Sequence, residues 1–193
     1  MNKHLEFCRK AAADGMVLLK NDNNVLPITA KSIALFGRGQ FVTVKSGSGS
    51  GDVVGVKTVN AVEGFLSANI DICEPLYTYN KNWHLEHFEE VKDTDKFYKG
   101  FHSMTEIPLD ESVIVETAKS TDTAIVILSR VAGETSDIEY IKGDYFLSER
   151  EEKMLEIARK HFKKLIVCLN YGGVYDLEGV INYNPDAVLY MSQ

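Results

Sequence analysis

The chain alternates between short, wholly apolar runs and longer stretches in which apolar residues recur every three or four positions. Runs that are apolar on both faces are typical of strands in a covered parallel sheet, and the recurrent spacing is typical of amphipathic helices. The pattern predicts strands at 32–37, 70–72, 123–128, 165–169 and 187–190.

Helices are predicted between these strands. Ser148 and Glu151 have the spacing of a capping box, which places a helix start at about residue 149. Residues 76–108 are rich in aromatic and charged side chains and are predicted to form one or two helices and a loop, whereas Met16–Leu19 is a short apolar run without an assigned element. The remaining helices are predicted at 3–14, 56–68, 113–118 and 149–161.

Strands that alternate with helices imply a right-handed, doubly wound arrangement. We therefore predict an α/β fold, a three-layer α/β/α sandwich with a mainly parallel sheet of about six strands, similar to flavodoxin. The length of 193 residues fits a single domain.

The composition of the chain argues against several classes of binding partner and location. The net charge of -7 argues against a nucleic acid or an anionic membrane surface, both of which attract basic proteins. No apolar segment approaches the ~18 residues of a membrane span, and the charged start lacks the pattern of a secretory signal. The three cysteines are odd in number and widely spaced, which indicates a reducing compartment, and we expect a cytoplasmic protein.

The first candidate loop follows the strand at 32–37 and is rich in glycine and serine through residue 55. Its amides could face an anion or a sugar hydroxyl. The dinucleotide fingerprint fails because Val42 stands where the third glycine belongs, and no Gly-Lys-Ser/Thr closes a phosphate loop. A tight structural crossover, or an edge that faces a neighbouring domain, remains the other interpretation.

The second candidate loop follows the strand at 123–128 and holds Glu134, Asp137 and Glu139 within six residues. Like charges this close are expected to raise the pKa of at least one carboxyl group, so that it can donate a proton near neutral pH. Paired carboxylates also carry out glycoside hydrolysis. A solvated acidic loop without catalytic function is the alternative.

The histidines give a weaker signal. His84 and His87 could bind a metal from one helical face, but no third ligand is evident. The sequence therefore predicts neither a metal nor a cofactor.

Taken together, these motifs resemble the second domain of family 3 glycoside hydrolases. The stretch 9–28 is similar to the entry into that domain, and 33–53 to its first strand and glycine-rich loop. Residues 129–147 are similar to its acid/base loop, and 164–174 with 186–189 to its closing strands.

The resemblance implies a retaining β-glucosidase-type hydrolase whose active site lies between a (β/α)8 barrel and this sandwich. The barrel would supply the nucleophilic Asp, and Glu134 matches the general acid/base, with Glu139 as the alternative. A β-linked glucoside or related oligosaccharide would be the substrate. Side chains expected to face the substrate or the barrel are Arg130, Asp137, Ser48, Ser50 and Asp52.

The chain also departs from the family pattern. Thr135-Ser136 stand where Gly-Tyr is frequent, and Ile138 replaces an Arg. This departure favours a second hypothesis, a non-catalytic carbohydrate-binding or interaction module, while a flavin or nucleotide binder is a third. We expect residues 1–193 to be one truncated domain that precedes the barrel in a longer protein and is inactive alone.

Overall fold

The computed structural model describes residues 2–47, 58–87, 105–131 and 137–192. Within these ranges the chain forms six strands of one sheet and six α-helices. In chain order the elements are α1 (Asn2–Asp14), β1 (Val17–Asn21), β2 (Ser32–Phe36), α2 (Ala61–Ser67), β3 (Asp71–Ile72), α3 (Leu76–Glu86), α4 (Glu111–Thr117), β4 (Thr123–Arg130), α5 (Glu149–His161), β5 (Lys164–Tyr171), α6 (Glu178–Ile181) and β6 (Ala187–Tyr190).

The sheet has the strand order β1-β6-β5-β4-β2-β3. Every pair is parallel except β1 with β6, which is antiparallel and forms one edge. The long central strands β4 and β5 pair over eight residues, from Thr123 opposite Lys164 to Arg130 opposite Tyr171. The predicted mainly parallel, six-stranded α/β sandwich is confirmed.

The two faces of the sheet carry separate apolar cores. Along β4, Val126 and Leu128 pack on one face with Leu155 of α5, whereas Ile125 and Ile127 pack on the other face with the side of α2. Side chains of successive strand residues point to opposite faces, so a strand that is apolar throughout must be covered twice. This explains the uninterrupted apolar run in its sequence.

Helix α5 spans 149–161 as predicted. The Ser148 side chain accepts from the Glu151 amide, and Glu151 accepts in return from the Ser148 amide, so both halves of the capping box are present. Met154, Leu155 and Ala158 are buried, which confirms the predicted inward face.

Several elements differ from the sequence predictions, including three boundaries and one strand that was not predicted. Helix α2 begins at Ala61 rather than 56 because Asn60 caps it, and α4 begins at Glu111 because Asp110 caps it. Strand β4 continues beyond Leu128 to Arg130, since its ladder with β5 persists that far. The apolar run at 16–19 belongs to β1, a strand missed because its partner β6 lies far away in sequence.

No helix in the described parts of the chain is long and apolar enough to cross a membrane.

Candidate functional site

The carboxyl ends of the three central parallel strands β2, β4 and β5 lie side by side at one edge of the sheet. Ligands of open α/β sheets collect at this edge. A buried polar side chain lies at or near the end of each of these strands: Arg38 just after β2, Arg130 at the end of β4, and Asn170 near the end of β5. Their partners define how the loops of the candidate site leave the sheet.

Arg38 joins the loop after β2 to two distant parts of the chain. Its amide donates to Glu106 Oε2 at 2.7 Å, while its guanidinium donates to the carbonyls of His87 at 2.8 Å and Thr105 at 3.2 Å. The guanidinium carbon also lies 5.1 Å from the centre of the Trp83 ring. Arg38 therefore ties the C-terminal end of α3 and the chain that leads to α4 to the start of the loop after β2.

Glu106 is a buried acid that the sequence analysis did not single out. Burial, and next the nearby Glu151 carboxylate, raises the pKa of Glu106 to about 8, against the lowering effects of the Arg38 amide and the Arg130 and Arg38 guanidinium groups. Burial therefore favours the protonated form of Glu106. The Glu106 carbonyl accepts from Arg150 Nη1 at 2.7 Å, which ties the same segment to α5.

Arg130 forms a two-pronged ion pair with Glu151. Its Nη1 donates to Oε1 at 2.5 Å and its Nη2 to Oε2 at 2.8 Å, and both side chains are 1% exposed. Its Nε donates to the Asp144 carbonyl at 2.9 Å and Nη1 to the Ser129 carbonyl at 3.0 Å. Burial alone would lower the pKa of Arg130, but the Glu151 carboxylate raises it above its ordinary value. Arg130 was expected to face substrate or a neighbouring domain, whereas these contacts hold it inside the sandwich.

The acidic loop emerges directly beyond Arg130. Asp137 and Glu139 are exposed, and Glu134 lies outside the described residues. The Glu139 amide donates to Asp144 Oδ2 at 2.7 Å, and its carbonyl accepts from the amides of Ile141 at 2.8 Å and Tyr145 at 3.2 Å. The structure thus presents the Glu139 side chain to solvent from a fixed backbone at the carboxyl edge of the sheet.

Asn170 connects the other loops of this edge. Its carboxamide bonds with both backbone groups of Val44 and donates to the Ser192 carbonyl. The start of the glycine-rich loop and the chain after β6 are therefore held together above β5. The predicted site residues Ser48, Ser50 and Asp52 lie outside the described residues.

A cluster of aromatic rings follows the acidic loop. Tyr140 is 75% exposed, stacks on Tyr145 with ring centres 4.8 Å apart, and meets the edge of Phe146 at 4.4 Å. Such a ring presents an apolar face of the kind on which a sugar ring can stack.

The two candidate metal-binding histidines have other contacts. His84 is buried and stacks on Phe41, and burial, followed by the charge of Arg38, lowers its pKa. His87 Nδ1 lies 2.8 Å from the Trp83 carbonyl oxygen. Within the described ranges no group of three or more potential metal ligands occurs.

Sequence reasoning missed Glu106, Glu151 and Asn170 as parts of this edge. Glu151 was identified only as a helix cap, although its position in a first turn that faces β4 could have suggested a partner for Arg130. Asn170 carried one usable signal, since it is a polar residue placed where an apolar strand ends. Glu106 carried none, because its partner Arg38 is 68 residues away in the chain.

Comparisons with known proteins agree with this architecture. The family model described as glycosyl hydrolase family 3 C-terminal domain matches residues 16–193. The chain is 35% identical over 195 residues to a β-glucosidase of Ruminococcus albus, covering all of this chain and 20% of that protein. It is 34% identical over 197 residues to β-glucosidase A of Butyrivibrio fibrisolvens, covering 90% of this chain and 23% of that protein.

Two solved structures extend the likeness to three dimensions. A β-glucosidase from Paenibacillus barengoltzii superposes with a TM-score of 0.87 at 32% identity over 97% of this chain and 21% of its own. β-Glucosidase 3B from Thermotoga neapolitana in complex with glucose superposes with a TM-score of 0.78 at 29% identity, covering 100% of this chain and 27% of its own.

The chain spans about a fifth of the length of the curated relatives that it matches. Its strand order, its edge of strand-end loops and the family match over residues 16–193 lead to one assignment. The chain belongs to the glycosyl hydrolase family 3 C-terminal domain family.

Proposed function

We propose that this chain is the sandwich domain of a retaining β-glucosidase and supplies the general acid/base loop to an active site shared with a (β/α)8 barrel of the same protein. The observation that carries the proposal is the acidic loop, which emerges from the central strand β4 at the carboxyl edge of the sheet with Asp137 and Glu139 exposed. The names of the relatives supply the reaction class, since those proteins are β-glucosidases.

In this proposal Glu134 protonates the departing glycosidic oxygen and then removes a proton from the water that releases the glycosyl-enzyme. Glu139 is the alternative for the same role. A carboxylate of the barrel attacks the sugar carbon, and retention requires it to lie about 5–5.5 Å from the acid/base carboxyl group. Acid/base catalysis of this kind contributes roughly 10²–10⁴-fold to the rate. The substrate is a β-linked glucoside or a related oligosaccharide, and no cofactor or metal takes part.

The proposal is tested in the parent enzyme with Glu134→Ala and Glu139→Ala. The variant that lacks the acid/base should hydrolyse alkyl glucosides roughly 10²–10⁴-fold more slowly. It should largely retain activity on dinitrophenyl glucoside, whose leaving group needs no proton, and azide should restore its rate. Glu156→Ala, at an exposed position on α5, is the matched control and should be silent.

The outcome assigns the role. If Glu139→Ala shows the leaving-group dependence and Glu134→Ala does not, the acid/base is Glu139. If neither variant shows it, the proposed function is wrong. We further propose that the 193-residue chain hydrolyses no glucoside by itself, because it contains one wall of the active site.

One observation favours a second candidate, a non-catalytic carbohydrate-binding module. Tyr140 has an exposed ring and directly follows the exposed Glu139 in the chain, whose carboxylate can accept hydrogen bonds from sugar hydroxyls. Calorimetric titration of the 193-residue chain with cellobiose tests it. Binding that Tyr140→Ala abolishes, together with a silent Glu134→Ala and Glu139→Ala in the parent enzyme, would favour this function over catalysis.

We also propose that the protein works in the reducing cytoplasm. The support is that Cys8, Cys73 and Cys168 are all free thiols, with Cys73 and Cys168 buried apart from each other in the fold.

A further inference from the structure

The contacts of Arg130 join both ends of the loop that carries the acidic side chains. Arg130 is the last residue of β4, while its acceptors lie at the other end of the loop and in the first turn of α5: the carbonyls of Asp144 and Phe146 and the carboxylate of Glu151. The loop therefore leaves the sheet and returns to it at one guanidinium group. Along the chain, Arg130 is 14 residues from Asp144 and 21 residues from Glu151.

The same contacts continue outward to the exposed acid. The Asp144 residue whose carbonyl accepts from Arg130 also accepts the Glu139 amide through its carboxylate at 2.7 Å. Glu139 in turn accepts the Ile141 and Tyr145 amides at its carbonyl. Two hydrogen bonds to Asp144, one at its carbonyl and one at its carboxylate, thus connect the buried guanidinium to the backbone of Glu139.

We propose that Arg130 is a positioning residue for catalysis: through Asp144 it fixes the place from which the acidic loop presents its carboxylates to the substrate. This inference rests on the proposed function. Three features support it: the guanidinium is buried, it uses Nε, Nη1 and Nη2 together, and its acceptors include the backbone of the loop. Lysine could not replace it, because a single ammonium group cannot satisfy a planar fork of acceptors.

A purely stabilising ion pair and a positioning residue predict different results. Breaking the pair by Arg130→Met leaves the Glu151 charge buried without its partner, which should strongly destabilise the fold. Arg130→Met/Glu151→Gln removes both charges, and Gln retains an acceptor for the capping box. We expect the double variant to remain folded and to melt at a higher temperature than Arg130→Met, because no charge is left buried without a partner, although the loop has lost its attachment.

Amide hydrogen exchange in the 193-residue chain measures the attachment directly. The amides of Glu139, Ile141 and Tyr145 should exchange at least about 10-fold faster in the double variant, with the amides of β4 and β5 unchanged. Arg159→Met is the matched control, since Arg159 forms an ion pair with Asp186 far from this loop. It should leave the three loop amides protected.

Kinetics of the parent enzyme measure the consequence. In the double variant kcat for alkyl glucosides should fall by about 10–100-fold with little change in KM, because a displaced acid acts on the transition state rather than on binding. The alkaline limb of the pH profile, which reports the acid/base that must be protonated, should broaden or shift, a change that lost stability alone would not cause.

Two results would overturn the positioning role: unchanged protection of the loop amides in the double variant, or a loss of protection spread evenly over the sheet. Its failure is distinguishable from failure of the proposed function. If either Glu134→Ala or Glu139→Ala slows hydrolysis while the double variant does not, only the role of Arg130 falls. If those two variants are silent, the function itself falls.

Discussion

The carboxamide of Asn170 pairs with the backbone of Val44 as a neighbouring strand would. Its Oδ1 accepts from the Val44 amide at 2.7 Å and its Nδ2 donates to the Val44 carbonyl at 2.9 Å. The same Nδ2 donates to the Ser192 carbonyl at 2.9 Å, so one side chain gathers segments 126 and 22 residues away. A side chain that is 1% exposed therefore replaces water at three backbone groups.

Asn170→Ala should destabilise the chain by about 1–3 kcal/mol, because the part-buried backbone amide and carbonyl of Val44 and the carbonyl of Ser192 lose this partner. Urea unfolding monitored by circular dichroism measures the loss. Asn182→Ala, at an exposed position after α6, should change stability by less than about 0.5 kcal/mol. Equal stabilities of the two variants would contradict the role given to Asn170.

Gly37 cannot accept a side chain. Its φ is +89°, and a Cβ atom would come 2.3 Å from the Ile127 carbonyl oxygen on β4. Gly37→Ala should therefore cost at least about 2 kcal/mol. Gly64→Ala on α2 meets nothing within 4 Å and should instead stabilise by about 0.5–1 kcal/mol. Melting temperatures that move in opposite directions would confirm the contrast, and a Gly37→Ala protein as stable as the wild type would refute it.

The buried acid Glu106 should make stability depend on pH. Burial raises its pKa from 4.5 to about 8 in the folded chain, so the folded state holds the proton more tightly than the unfolded state. The contribution of Glu106 to the free energy of unfolding is fully present below about pH 4.5, and it is lost as the pH rises to about 8.

Glu106→Gln keeps an acceptor for the Arg38 amide but removes the ionisation. As the pH rises from 5 to 8, the free energy of unfolding of the variant should increase relative to that of the wild type by on the order of 2–4 kcal/mol. Denaturant titrations at both values measure this difference, with the exposed Glu156→Gln as control. A constant difference between wild type and Glu106→Gln would show that Glu106 ionises as easily when folded as when unfolded.

The cysteines should differ sharply in reactivity. Cys8 is exposed on α1, whereas Cys73 and Cys168 are buried, and burial raises the pKa of Cys168 to about 12. Because the thiolate is the reactive form, a disulfide reagent should titrate one thiol in the native chain and three after denaturation. Fast modification that survives Cys8→Ser would indicate that a buried thiol is accessible.

The fold was predictable because its signals are local. The apolar runs of β4 and β5, and the Ser148 and Glu151 cap that begins α5, are legible within a few neighbouring residues. The strand β1 was not predicted, since its residues Val17 and Leu18 are half exposed at the sheet edge and pair with a strand near the other end of the chain.

The candidate site was predictable only in its position. The sequence predicted an acidic loop after β4; of its carboxylates, Asp137 and Glu139 lie in the described residues and are exposed. It could not show that Arg130 is buried, because β4 continues two residues past its last aliphatic side chain and the partner Glu151 is 21 residues away. Glu106 and Arg38 form a still longer contact across 68 residues, which no pattern of neighbouring residues reveals.

The side chains that hold the loops at this edge sit beside or within the strands, not at the loop tips. The loop sequence can therefore change without changing the sheet. Insertions or exchanges between Arg130 and Asp144 leave the hydrogen-bonding groups of the sheet in place. In a domain built in this way, replacing the residues between Arg130 and Asp144 with those of another protein can change the specificity, while the strands that determine the fold stay the same.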